Sequence, residues 1–367
     1  MPNHPTLSRR AAIAGTLATA AAAQFAPASA QSDAMKALID AAKAEGSVAV
    51  DGPPIDAARE LLTQGFQRAY GIPVSYIGTT NSASSARVRA ERAAGKYLLD
   101  VLVAGGDTPT MTYLPSGWLD KVEPILVAPD VVDKRRWKDG HLWFVDDGHY
   151  ILRTQAYVTP QLVVNTKIVK PREVSTWKSL LDPKWQGKIV AKDPGVSGAG
   201  TSLIAMFYMH FGADFVKRLY QGQKPTISRD GRQAAQFLAQ ETYPILIGPE
   251  PTYIDQFKAQ GYPLEYIFPT DGPSIISGGY GLLSLVNKAP HPNAAKLYIN
   301  WLAGHDAQEK FAEVMRAVSL RTDEHYVGLP YWVFPQKGTT YLDTYEYKFV
   351  SEYRDAAMAK ARELLGE

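Results

Sequence analysis

A chain of 367 residues, 46% hydrophobic and 21% charged, has the make-up of an ordinary globular protein, and it exceeds the size at which one hydrophobic core usually stops growing, so two lobes are expected. Two of its 39 basic residues, Arg9 and Arg10, lie in a 30-residue N-terminal segment without a single acid; the remainder balances 37 basic against 37 acidic residues, which leaves no basic field for a nucleic acid or an anionic membrane. The absence of cysteine excludes disulfides and thiolate metal sites.

The N-terminal stretch "SRRAAIAGTLATAAAAQFAPASAQ" (8–31) has the three parts of a secretory signal: Arg9 and Arg10, a moderately apolar run from Ala11 to Ala23, and the small-x-small end Ala28-Ser29-Ala30. The run is shorter than the ~20 residues that cross a bilayer and is rich in Ala, so it does not read as an anchor. Cleavage is expected after Ala30, and the paired arginines point to the twin-arginine export route. That places the mature chain, from Gln31, in the periplasm.

Strands and helices then alternate. Residues 47–51 read as a strand, and Ile55, Ala58, Leu61, Leu62, Phe66 and Ala69 recur at helical spacing up to a stop at Gly71. A strand at 72–77, a polar loop at 78–82, a helix through Gly95 and a strand at 98–103 complete a βαβαβ pattern, the mark of a parallel sheet covered by helices. A second unit follows: a strand at 187–194, a glycine-rich loop at 195–200, a helix at 201–211, strands near 225–228, 243–248 and 264–268, and helices at 230–239 and 252–260. Extended segments at 150–165 and 274–286 leave and re-enter the first unit, as a two-strand hinge would. Amphipathic helices are expected at 294–302 and 307–314, and Tyr341, Tyr345, Tyr347 and Phe349 of the tail are expected to pack on the first lobe.

Three segments carry a resemblance: "VVNTKIVKPREVSTWKSLLDPKWQGKIVAKDP" (163–194, with Trp177, Leu180, Leu181, Asp182-Pro183, Trp185, Gly187 and Lys188), "YPILIG" (243–248) and "LVNKAPHPNAAKLYINWLAG" (285–304). The chain resembles the periplasmic solute-binding proteins of ABC importers, in particular the branch that contains ferric-ion-binding proteins and also binders of phosphonates, sugar phosphates and other small anions. The resemblance implies an α/β, two-lobed periplasmic binding protein fold of type II, each lobe a sheet flanked by helices. The lobes would be 31–156 with 275–367, and 157–274. It also implies closure over one small solute, delivery to the membrane subunits of an importer, no cofactor and no chemistry. A monomer is expected.

Ligands in such sheets sit beyond the carboxyl ends of the strands. The loop "DPGVSGAGTS" (193–202) has the glycine spacing of a phosphate loop with Thr201 where the lysine would stand, so nucleotide hydrolysis is not supported. A glycine turn at a helix start still offers backbone N–H groups and a partial positive charge, and Ser197, Gly198 and Thr201 are expected to touch an anion. A plain strand-to-helix turn is the alternative. Arg229 follows a strand at the same rim and can clamp a carboxylate or phosphate with two hydrogen bonds. Iron binders of this branch carry adjacent tyrosines after the strand equivalent to 243–248; here Glu250 and Tyr253 stand in "GPEPTY", the tandem is missing, and no metal is assigned, with ferric iron kept as the alternative ligand. Glu250 reads as an acceptor for the solute or as a helix cap. From the first lobe, Thr79, Thr80, Asn81 and Asp107 lie on loops at strand ends, where turn chemistry alone also selects them, and Tyr280 lies between glycines on the returning segment. A secreted hydrolase is the rival class, but "GVSGA" misses the nucleophile elbow by its last glycine, and the histidines lack H-E-x-x-H spacing.

Overall fold

The computed structural model describes residues 28–79, 81–196 and 198–366. Arg9, Arg10 and the apolar run of the signal lie outside these residues, as do Thr80 and Ser197. A helix spans Ala28–Glu45, so the expected cleavage point falls in its first turn. No described helix is long and apolar enough to cross a membrane.

The first sheet is built from β1 (Val48–Gly52), β2 (Val74–Gly78), β3 (Val101–Ala104), β4 (Leu119–Asp120) and β5 (Ile151–Arg153). β1 pairs in parallel with both β2 and β3, as the βαβαβ pattern requires. The chain then leaves through β6 (Tyr157–Thr159) into the second sheet, made of β7 (Leu162–Asn165), β8 (Ile189–Lys192), β9 (Thr226–Ser228), β10 (Ile245–Ile247) and β11 (Leu264–Ile267) in the order β11-β7-β10-β8-β9. It returns through β12 (Ser274–Ser277) to β13 (Leu282–Val286), which runs antiparallel between β3 and both β4 and β5 of the first sheet.

Both sheets are covered on two faces, and the side-chain period of two sorts each strand between two cores. Val101 and Val103 of β3 pack with Phe66, Tyr298 and Leu302, whereas Leu102 and Ala104 pack with Tyr113 and Ile151 on the other side. In the second sheet Ile189, Ile245 and Ile247 face Leu203, Phe207 and Trp177, while Val190 and Leu246 face Ala234 and Leu238.

Between the sheets the expected two-strand hinge gains a third member. β12 pairs antiparallel with β6 and in parallel with β14 (Tyr341–Asp343) of the tail. Beyond β14 the tail divides. Tyr345 joins the first-sheet core with Tyr113, but Phe349, expected to pack there, instead packs with its neighbour Val350 and with Ala357 and Ala361 of the last helix, Asp355–Leu365, against the second-sheet core around Phe207. The physical reason is the apolar flank of the helix Ala199–Lys217, which the last helix covers.

Candidate functional site

A cleft of about 710 Å³ lies where the two sheets face each other across the three-stranded crossing. Its second-sheet wall is made where β8, β9 and β10 each run directly into a helix: Ala199–Lys217, Gly231–Ala239 and Pro251–Ala259. Gly198, Asp230 and Glu250, the residues preceding these helices, all line the cleft, so three helix N-termini converge on it. Asp230 caps its helix, its carboxylate accepting from the N–H groups of Arg232 (2.8 Å) and Gln233 (3.1 Å). Gly198 and Glu250 supply no side-chain cap; the helix after Gly198 opens with the amides of Ala199 and Gly200 at the anion-favouring end of its dipole, whereas the helix after Glu250 opens with Pro251, which has no N–H, and its Tyr253 N–H donates to Glu250 O at 3.1 Å.

Glycine is required at the first of these helix starts. Gly198 has φ +147°, a region L side chains rarely adopt, and a Cβ at Gly200 would run into the backbone carbonyls of Lys192 and Asp193. Thr201 does not reach the cleft: it is fully buried, and its hydroxyl donates to the carbonyls of Pro194 (3.2 Å) and Val196. The sequence spacing could not say which way Thr201 points, and it points inward as a brace for the loop.

Arg229 lines the cleft with an exposed side chain whose Nε lies 2.6 Å from the buried carboxylate of Asp193. Asp193 in turn accepts from the Gly195 N–H at 2.7 Å. Glu250 is not a helix cap; it pairs with Lys192 Nζ at 2.8 Å. Two further pairs line the cleft through one or both members, Arg316–Asp255 at 3.1 Å and Arg354–Asp107 at 2.7 Å. The charged lining is therefore balanced, and any preference for an anion has to come from backbone dipoles and from how these pairs are shared.

The aromatic lining includes Tyr157, Tyr253, Tyr280 and Trp332. Burial pushes the Tyr280 phenol upward, helped by Tyr345 and Glu250, and burial with Glu250 does the same at Tyr253, so both phenols stay protonated near neutrality. Among the described residues, no three His, Asp or Glu come together in a way that could hold a metal ion.

Of the residues expected from sequence, the structure brings together Gly198, Arg229, Glu250, Tyr253 and Tyr280. Thr79 does not line the cleft, and its N–H donates to Gly52 O at 3.0 Å. Asn81 opens the helix Asn81–Ala93. Asp107 is buried against Arg354 rather than lining the cleft; burial raises its carboxyl and the guanidinium opposes that rise. Sequence reading missed Lys192, Gly105, Gly106, Trp332 and Arg354. Lys192 and the Gly105-Gly106 pair stand at strand ends and had a local signal; Trp332 and Arg354 had none.

The model of the family described as bacterial extracellular solute-binding protein matches residues 61–324. An uncharacterized protein of Haemophilus influenzae is 24% identical over 283 residues, 74% of this chain and 77% of its own length. Solved structures share the fold. AfuA of Actinobacillus pleuropneumoniae, a periplasmic binding protein with fructose-6-phosphate bound, is 21% identical with a TM-score of 0.68 over 88% of this chain and 99% of its own. Iron-bound HitA of Pseudomonas aeruginosa is 16% identical with a TM-score of 0.67 over 87% and 99%. The two sheets thus correspond to the two lobes of a periplasmic binding protein.

Proposed function

For a chain that belongs to the family of bacterial extracellular solute-binding proteins, we propose capture of one small anionic organic compound or oxyanion in the inter-lobe cleft, in the periplasm, and its delivery to the membrane subunits of an ABC importer. The lobes are 31–156 with most of the returning chain, and 157–274. They close about the β6–β12–β14 crossing, and the protein works as a monomer. The observation that carries this reading is the convergence of three helix N-termini on one wall, two of them without a side-chain cap. Each such terminus carries about half a positive charge, and the cleft loses water on closure, which strengthens every remaining dipole. The anionic group would sit on the amides after Gly198, with Arg229 turning one face of its guanidinium from Asp193 toward the solute. The uncharged part would lie against Tyr253, Tyr280 and Trp332.

AfuA, seen with a sugar phosphate, supports this class of solute; iron-bound HitA supports the alternative of ferric iron. A thermal-shift screen of carboxylates, phosphonates, sugar phosphates and ferric citrate separates them. A solute at a hundred times its dissociation constant stabilises the protein by about 2.7 kcal/mol. A hit among the anions supports the proposal. A hit confined to neutral or cationic compounds, or a visible phenolate-to-iron band with ferric citrate, overturns it.

A further inference from the structure

Arg354 comes from the turn Phe349–Arg354 that leads into the last helix, which packs on the second lobe, yet its charge is spent on both lobes. Only 6% of the residue is exposed, and it lines the cleft. Nη1 lies 2.7 Å from Asp107 Oδ1, on the first-lobe loop that follows β3. Nη2 donates to the carbonyl of Gly198 at 3.1 Å, the residue from which the uncapped helix starts. Two turns further on, Arg362 Nε donates to Gly195 O at 2.9 Å, so the tail holds the glycine loop at both ends, but among the described residues Arg362 makes no ion pair with a first-lobe carboxylate.

A guanidinium this deeply buried is tolerated only with a carboxylate in place; separating it from Asp107 leaves its charge desolvated against the Gly198 carbonyl. Asp107 therefore has to keep station with Arg354, and Arg354 keeps station with the Gly198 carbonyl. We propose that Arg354 is a positioning residue of the solute site: it fixes the uncapped helix start that receives the solute at a set distance from the first lobe, and so couples occupancy of the glycine loop to lobe spacing. This rests on the reading of the cleft as the solute site.

The chain has no cysteine, so Gln67→Cys and Lys188→Cys, both at exposed positions on different lobes, place a pair of spin labels without further changes. In the full-length protein without solute, the label distance is expected to be narrow for the parent and for Arg362→Gln, broadened at least twofold for Arg354→Gln and Asp107→Asn, and narrow again for Arg354→Lys. Amide exchange at 199–202 is expected to quicken at least tenfold in Arg354→Gln. A parent-like distance in folded Arg354→Gln overturns the proposal, as does equal broadening in Arg362→Gln, which would make the tail a packing element only. If Arg354→Gln does not fold, Asp107→Asn decides by the same criterion. Inorganic phosphate serves as the probe for coupling, and it is expected to narrow the parent distribution further and to leave that of Arg354→Gln unchanged; equal narrowing in both overturns the coupling. Failure of phosphate and all other anions to shift the parent's melting counts against the anion reading alone, because the label distances are measured without them.

Discussion

Arg316 Nε lies 3.1 Å from Asp255 Oδ2, which joins the end of the first-lobe helix His305–Met315 to the second-lobe helix Pro251–Ala259 across the cleft. Asp255 also accepts from Tyr266 at 2.9 Å, and Trp332 packs edge-on against Tyr266. Because Arg316 is half exposed, the pair contributes only about 0–1 kcal/mol. Arg316→Ala is therefore expected to speed solute release by up to about fivefold, with little change in melting temperature. The effect should vanish in 1 M salt; stopped-flow release at two ionic strengths checks this, and a salt-independent effect would speak against the ion pair.

Arg229→Ala should weaken anion binding by about 1.5–3 kcal/mol, the range for a hydrogen bond to a charged group. It should also cost the unliganded protein on the order of 1 kcal/mol, because the carboxylate of Asp193, 1% exposed, loses its guanidinium and keeps the Gly195 N–H. Arg229→Lys should recover part of the stability but less of the affinity, since it lacks the planar fork. Calorimetric titration and thermal melts read the two effects separately.

Gly200→Ala and Thr201→Val distinguish the loop's shape from its contacts. The first forces a methyl group into the Lys192 and Asp193 carbonyls, and overpacking of this kind costs about 1–3 kcal/mol. Solute affinity should fall with it. The second removes only the brace to Pro194 and Val196, about 1 kcal/mol, and should lower the melting temperature while leaving affinity within about threefold. A large affinity loss in Thr201→Val with unchanged stability would restore it as a solute contact.

Stability should also carry a pH signature from Glu324. Burial pushes its carboxyl up to about 7, against opposing hydrogen bonds from Tyr326 and Ser319 and the charge of Arg321. With the folded value above the unfolded one, the support this group gives the fold is complete below about pH 4 and is withdrawn as pH rises to about 7. Glu324→Gln should melt higher than the parent at pH 8 and close to it at pH 4.5. A variant that melts lower at pH 8 would show that the charged form is favoured.

Export is tested at Arg9 and Arg10, outside the described residues. Their joint replacement by Lys should leave unprocessed precursor in the cytoplasm, seen by fractionation and immunoblot; undiminished export would reject the twin-arginine route.

Most elements were legible because their signals are local. The spacing of Ile55 to Ala69, the glycine loop after β8 and the apolar run of β10 each declare a helix, a turn and a buried strand within a few residues. What was hidden depends on partners far along the chain. β14 has no unusual composition, and only the exposed edge of β12, 67 residues earlier by register, makes it a strand of the crossing. Arg354 meets Gly198 across 156 residues, so nothing near either one announced the contact. Thr201 was placed correctly along the chain but not around the helix, since a spacing rule carries no rotation about the axis.

The position of β13 also sets an order of assembly. Residues 282–286 lie between β3 and both β4 and β5, so β4 and β5 stay apart from the β2-β1-β3 part of the first sheet, and from each other, until the chain through residue 286 is available. The second sheet, by contrast, is drawn wholly from 162–267. As the chain emerges N-terminus first, the lobe that begins first is completed last, and its apolar strands must wait while the other lobe closes. Such late, long-range pairing is slow and leaves hydrophobic surface open to chaperones and to self-association, so it is in the first lobe that crowded synthesis would produce misfolded chains.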